Sequence, residues 1–225
     1  MWKQKIGISL GNGYPIPTAE VVKLVGQIGF DAVSPEWQEH VDLEEIVNTA
    51  KACGLFVQSL HAPFGKAADM WRSEPEICTP AKAELLASLN ACKAFGIPVL
   101  VVHTWIGFEY RFDPQALDFS NFDELVKTAR EYGVKIAFEN QRKIANLSWA
   151  LETFADAENV GFCWDCGHEY CFTPGREYMP LFANQLICTH IHDNTCVYNS
   201  DDHMIPFDGN VDFGRVAEHI RKSDF

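Results

Sequence analysis

Five short apolar runs each end on a residue able to bind a metal, and this pattern constrains the fold more than any other feature of the chain. Residues 57–60 lead to His61, 99–102 to His103, 135–138 to Glu139, 160–164 to Asp165 and 186–189 to His190, with His192 two positions further on. Runs of β-forming residues bounded by turn residues read as buried parallel strands. Packing accounts for a polar residue at one strand end, but not for His, Glu or Asp at five in succession. In a parallel barrel the C-terminal strand ends meet on one face, and that face carries the chemistry. The sequence therefore predicts an α/β barrel with a metal-centred site at its mouth.

The rest of the chain fits that frame. Strands are expected over residues 5–10, 31–36, 57–61, 98–103, 134–140, 160–165 and 186–192. Helical apolar stripes fall between them. One starts at an N-cap Thr18 and stops at Gly29; a second is capped by Asp42, with Glu45 at the capping-box position, and stops at Gly54. A third opens at Thr79-Pro80 and ends at Gly96; a fourth is capped by Asn121 and ends at Gly133. Further helices are expected from Asn146, over 180–185 and over 213–222. Seven strand–helix units in alternation imply right-handed crossovers and a parallel sheet. A full barrel has eight, so the expected architecture is a single domain over residues 1–225, C-terminally truncated, whose first and seventh strands have unpaired edges.

Composition excludes some functions. The chain has 18 Lys+Arg against 31 Asp+Glu, a net charge of −13, with no basic cluster, so no nucleic acid or anionic membrane partner is expected. No apolar run approaches the ~20 residues of a membrane span. Met1-Trp2-Lys3-Gln4-Lys5 leads straight into a strand pattern, which implies a cytoplasmic protein whose eight cysteines are free thiols. Cys163 and Cys166 have CxxC spacing without a second pair, and Cys163 falls within a strand, where a buried thiol is expected.

Neutral imidazoles together with carboxylates suit Zn, Mn, Co or Fe, and oxygen-rich sites lean toward Mn or Mg. Glu139, Asp165 and His192 make a minimal mixed ligand set; His61, His103, His168 and His203 extend it to a second metal or to substrate oxygens. Glu139 could instead pair with Arg142 or Lys143, and Asp165 could cap the following segment. His190 and His192 share a strand face, so one of them suffices as ligand and the other can sit a layer deeper. His40 and His219 read as solvated or structural. The aromatics Trp37, Phe64, Trp105 and Phe108 near strand ends are either sugar-stacking surfaces or packing.

With these residues placed, the chain resembles the xylose isomerase-like TIM-barrel superfamily, and within it the sugar phosphate isomerase/epimerase group, related in fold to the endonuclease IV-type apurinic endonucleases. The matching motifs are Ser59-Leu60-His61-Ala62-Pro63, Val101-Val102-His103, Phe138-Glu139-Asn140, Trp164-Asp165-Cys166-Gly167-His168, His190-Ile191-His192-Asp193-Asn194 and Asp201-Asp202-His203-Met204-Ile205-Pro206 before Val211-Asp212-Phe213. The resemblance implies one divalent ion held by Glu139, Asp165, His192 and a final Glu at the end of an eighth strand, which lies beyond Phe225. It implies that His168 contacts substrate in an epimerase or a metal in a nuclease. In the nuclease branch the ligands also include His61, His103, Asp201 and His203.

The expected activity is a metal-dependent isomerisation or epimerisation of a small sugar or sugar derivative, with Glu139 as the catalytic base and Mn or Zn, or else Mg or Co, as the ion. A dehydratase of a cyclic polyol would share the first step. The other readings are a phosphodiesterase of the apurinic endonuclease type and a non-catalytic binder of metal or sugar. A homodimer is the expected assembly.

Overall fold

The structure, a computed structural model, describes residues 4–11, 14–107, 117–223 and 225. The predicted loop aromatics Phe108 and Tyr110 lie outside them. Strands and helices alternate as the sequence predicts except where β3 is followed by β4 and α6 by α7: β1 (Gly7–Leu10), α1 (Thr18–Ile28), β2 (Ala32–Pro35), α2 (Leu43–Ala52), β3 (Phe56–Val57), β4 (Leu60–His61), α3 (Pro75–Phe95), β5 (Val99–His103), α4 (Ser120–Tyr132), β6 (Lys135–Glu139), α5 (Ile144–Thr153), β7 (Val160–Asp165), α6 (Cys166–Phe172), α7 (Met179–Phe182), β8 (Leu186–His190) and α8 (Phe213–Lys222). All ladders are parallel, in the orders β1-β2-β3 and β4-β5-β6-β7-β8.

The predicted third strand is thus two short pieces. β3 pairs with β2, and β4 pairs with β5. Between them Gln58 and Ser59 turn their side chains onto Ser34 Oγ, at 2.9 and 3.0 Å. The break does not divide the molecule, because Trp37 N–H donates to His61 C=O at 2.8 Å and Gln58 N–H to Val33 C=O at 3.1 Å. The result is one arc of parallel strands with β1 and β8 at its ends, a partial barrel.

Several helix starts differ from expectation. α3 begins at Pro75, with Glu74 at the N-cap, so Pro80 lies inside the helix. α1 is preceded by Pro17 as N-cap, and Thr18 is its first residue. Asn121 does not cap α4. Its amide nitrogen donates to Met70 and Arg72 C=O at 3.1 and 2.9 Å, while Asp118 accepts from Ser120 N–H at 2.8 Å. Asn121 therefore fastens α4 to the 3₁₀ turn Ala67–Trp71. α5 begins at Ile144, before Asn146. Asp42 does cap α2, accepting from Glu45 N–H at 2.9 Å, and α8 has the expected bounds.

Helices pack on the outside of the arc, where Val22, Val33, Ile46, Leu89, Leu100, Phe122, Phe138, Leu147, Phe162 and Val216 form one apolar core. Each large side chain buried there contributes about 1.5–3 kcal/mol. On the inside, Val101, Ala137, Cys163 and Cys188 form a separate small layer, with the strand-end ligand candidates directly above it. Among the described residues no helix is long and apolar enough to cross a membrane.

Candidate metal centre

Period-2 alternation decides which side chains enter the barrel. Phe138, Phe162 and Trp164 face the helices, so Glu139, Cys163 and Asp165 face inward. The ladders then bring the strand ends level. His103 pairs with Glu139, and Asp165 with His190.

Glu139 is the hub. Its Oε2 lies 3.2 Å from His61 Nε2, 3.3 Å from His103 Nε2 and 3.4 Å from His190 Nδ1, and its Oε1 lies 3.1 Å from His168 Nδ1. It pairs with these imidazoles and not with Arg142 or Lys143. Asp165 receives His192 Nε2 at 3.0 and 3.2 Å and also caps α6, accepting from His168 N–H at 2.7 Å. The Asp-x-x-His spacing is thus a helix cap that also aims the histidine inward. Asp201 and His203, in the loop after β8, close the far side. Asp201 Oδ2 is 3.2 Å from both His168 Nε2 and His203 Nε2, and the His192 and His203 rings stack at 3.9 Å.

Glu139 and Asp165 are each only 1% exposed. A dry, unpartnered carboxylate costs several kcal/mol, so the surrounding cationic groups decide its state. Burial raises the pKa of Glu139, but His103, His190 and His168 outweigh it and hold the carboxyl well below its ordinary range. Asp165 is lowered in the same way, burial being outweighed by His168 and His192. Burial pushes His103 down to about 4 against the pull of Glu139. His168, His190 and His192 move the other way. Burial opposes their charge, but Asp165 and Glu139 outweigh it and raise all three.

The donor set fits a divalent cation. Ligand atoms lie within 4.8 Å of one another in the groups His61, His103 and Glu139; Glu139, Asp165 and His190; and His168, His192, Asp201 and His203. Asp201 Oδ1 is buried without a hydrogen-bond partner, 3.9 Å from His192 Nε2, as an oxygen awaiting a cation would be. His61 Nδ1 faces the Ala62 C=O at 2.8 Å, which fixes the tautomer that turns the Nε2 lone pair inward. All eight predicted site residues therefore converge.

Sequence reasoning missed several contributors. Of the pair His190 and His192, between which the sequence left the ligand open, His190 also reaches Glu139. Gln141 Nε2 lies 3.2 Å from Glu139 Oε1, 3.1 Å from His168 Nδ1 and 3.2 Å from His103 Nε2. Asn140 grips the Asp165 backbone at both N–H and C=O, 2.7 and 2.8 Å. Asp193 accepts four backbone N–H groups, from Asn194, Phe207, Gly209 and Val211, at 2.8–2.9 Å, and so shapes the loop that carries Asp201 and His203. The Glu139-Asn140-Gln141 and His192-Asp193-Asn194 runs, polar just past a strand end, were the available signal.

Of the aromatics, Trp105 is buried packing and Trp37 packs on the core, while Phe64 stands at the mouth, stacked on His103 at 4.6 Å. His219 lies edge-on to Trp164, a structural role, and His40 is exposed. Cys166 Sγ donates to His192 C=O at 3.6 Å whereas Cys163 faces the inner layer, so the CxxC spacing does not form a paired site.

A partial barrel of parallel strands defines a fold class that known proteins share. The chain belongs to the xylose isomerase-like TIM barrel family, which it matches over residues 22–225. It is 31% identical over 159 residues to the uncharacterized protein y4fM of Sinorhizobium fredii, covering 63% of this chain and 49% of that one; the chain thus spans about half the length of this relative. Its fold is similar to that of a D-tagatose 3-epimerase-like protein (TM-score 0.78, 20% identity, 97% of this chain and 86% of that one). It is also similar to that of the 3-keto-D-glucoside 4-epimerase YcjR from E. coli (TM-score 0.75, 18% identity, 97% and 88%).

Proposed function

We propose that this chain carries the metal site of a divalent-metal-dependent isomerase or epimerase acting on a small sugar or sugar derivative. The observation that carries this reading is the convergence of two dry carboxylates with ring nitrogens at consecutive strand ends. The epimerase names of the structural relatives support it. Glu139, Asp165 and His192 would hold the ion, Mn or Zn before Mg or Co. His61, His103, His168, Asp201 and His203 would hold a second ion or substrate oxygens.

Bound there, such an ion supplies Lewis-acid polarisation of a carbonyl or hydroxyl oxygen, which acidifies the adjacent C–H. Glu139 is ionised at neutral pH and is the proton acceptor. Against the opposing effect of burial, Asp165, Asp201 and Glu139 raise the pKa of His168, which favours its charged form as a donor to a substrate oxygen. Phe64 offers a ring face at the rim for the C–H surface of a sugar. The test is deuterium incorporation beside the carbonyl of ketohexoses, D-tagatose and D-fructose first, in D₂O with Mn- or Zn-loaded protein. Exchange in the wild type and none in Glu139→Gln is expected; no exchange into any sugar refutes the reading.

The group His168, His192, Asp201 and His203 exceeds what one ion needs and favours a second reading, a metal-dependent phosphodiesterase of the apurinic endonuclease type. The net charge of −13 opposes binding to a nucleic acid. Salt-dependent binding to abasic duplex DNA would displace the first reading in favour of this one.

A further inference from the structure

We propose that Cys163, Cys188 and His190 form a second metal site, for a thiophilic cation such as Zn²⁺, Cd²⁺ or Cu⁺, one layer below the oxygen- and nitrogen-lined centre. It does not rest on the activity proposed above.

The placement follows from a fault in the sheet. The β7–β8 ladder shifts register between Phe162 and Cys163: Phe162 pairs with Leu186, but Cys163 pairs with Cys188. The additional residue, Ile187, reverses the alternation of β8, so that Leu186 joins the outer core while Cys188 joins the inner layer. Gly161 makes room, since a Cβ there would lie 2.7 Å from Gln185 C=O and 2.8 Å from the Ile187 side chain. The bulge thus aims Cys188 and His190 inward, opposite Cys163 and Asp165.

The chemistry selects the cation. Ligand atoms of Cys163, Cys188 and His190 lie within 4.8 Å of one another. Two thiolates on one zinc, with Zn–S of about 2.3 Å and tetrahedral angles, sit about 3.8 Å apart, so little contraction is required. Cys163 is fully buried and Cys188 is 6% exposed. Their other neighbours in the layer, Val101 and Ala137, offer no competing ligand. Interior barrel layers are normally filled by Val, Ile and Leu, and two facing thiols beside an imidazole depart from that pattern. Sulfur ligands favour Zn, Cd and Cu(I) over Mn and Mg. His190 also lies in one group with Glu139 and Asp165, so a cation in the lower site would take an imidazole that in its absence faces Glu139.

The test is a Cd²⁺ titration of the full chain, followed by thiolate-to-cadmium absorption in the near ultraviolet. The band should saturate in the wild type and persist in Asp201→Asn, which alters only the upper centre. It should be lost in Cys163→Ser and in Cys188→Ser and kept in the control Cys53→Ser. X-ray absorption of the zinc-loaded wild type requires no variant to fold and should show sulfur at about 2.3 Å. A shell of nitrogen and oxygen alone, the absence of a thiolate band, or a band that survives both serine variants overturns the proposal. Loss of manganese binding in Asp165→Asn with the cadmium–thiolate band intact would separate failure of the upper centre from failure of this site.

Discussion

Replacing Gly167 by Ala sets two effects of opposite sign against each other. Gly167 lies in α6 with no left-handed backbone, so helix propensity alone favours Ala by about 0.8–1.0 kcal/mol. A Cβ there would stand 2.1 Å from His192 Cε1 and 2.4 Å from Nε2, where ordinary contact begins at 3.4 Å. The ring would have to retreat by more than 1 Å, given by 3.4 minus 2.1 Å. It is held by Asp165 on one side and stacked on His203 at 3.9 Å on the other. Overpacking of this kind costs about 1–3 kcal/mol, so the clash cancels or exceeds the propensity gain. Displacing His192 also moves the proposed ligand from its place. Changes that merely disorient a ligand cost roughly 10–100-fold in metal affinity, and a loss at least that large is expected here. Competition with a chelator, run beside urea melts of the metal-free protein, measures both quantities. Unchanged zinc and manganese affinity in Gly167→Ala would refute His192 as a ligand and the packing argument with it.

Four further outcomes follow from the structure. His168, His190 and His192 are raised in the metal-free protein and must lose protons to bind metal, so affinity should fall as pH drops, starting above the ordinary histidine value of 6.5. The same imidazolium–carboxylate pairs stabilise the metal-free fold at lower pH, and that contribution should vanish as pH rises through the raised histidine values; isothermal titration and melts across pH 5.5–9 check both, in the range where His titrates. Asn121→Ala should destabilise by about 1–3 kcal/mol, because the Met70 carbonyl on the 3₁₀ turn and the Arg72 carbonyl just past it lose their donor; a urea-melt shift under about 0.5 kcal/mol would contradict this. Glu169 is buried and raised by that burial, while Trp164 Nε1, Tyr178 N–H and Arg215 Nη2 donate to it at 2.8–3.0 Å. Arg215→Ala should cost about 2 kcal/mol at neutral pH and less at pH 5, where protonation relieves the uncompensated carboxylate; a pH-independent loss would contradict it.

The ligand candidates were legible because barrel topology converts a one-dimensional pattern, an apolar run and then a polar residue, into a shared three-dimensional position. His61, His103, Glu139 and Asp165 needed only the ends of their strands to be located. The α8 bounds were legible because Asp212 caps and the stripe is clean. What escaped depends on contacts distant in sequence. Pro80 reads as a helix start by local rules, but Pro75 supplies the same signal earlier and α3 accommodates the second proline. α6 is too short to show a period. Gln141 reads as a loop amide until His103 and His168 arrive from two other strands. The reach of His190 to Glu139 depends on the β8 bulge, which has no signature in local hydrophobicity.

On the proposed reading, Glu139 and Asp165 belong to a metal centre and are not merely carboxylates neutralised by histidines. Elemental analysis of the purified chain, with Glu139→Gln and Asp165→Asn beside it, tests this most directly. Stoichiometric manganese in the manganese-loaded wild type, lost in both variants while the fold persists, is the predicted result; manganese disfavours the thiolates of the lower site and so reports the upper centre alone. A folded wild-type chain that binds no metal even when supplied with Mn or Zn would contradict it.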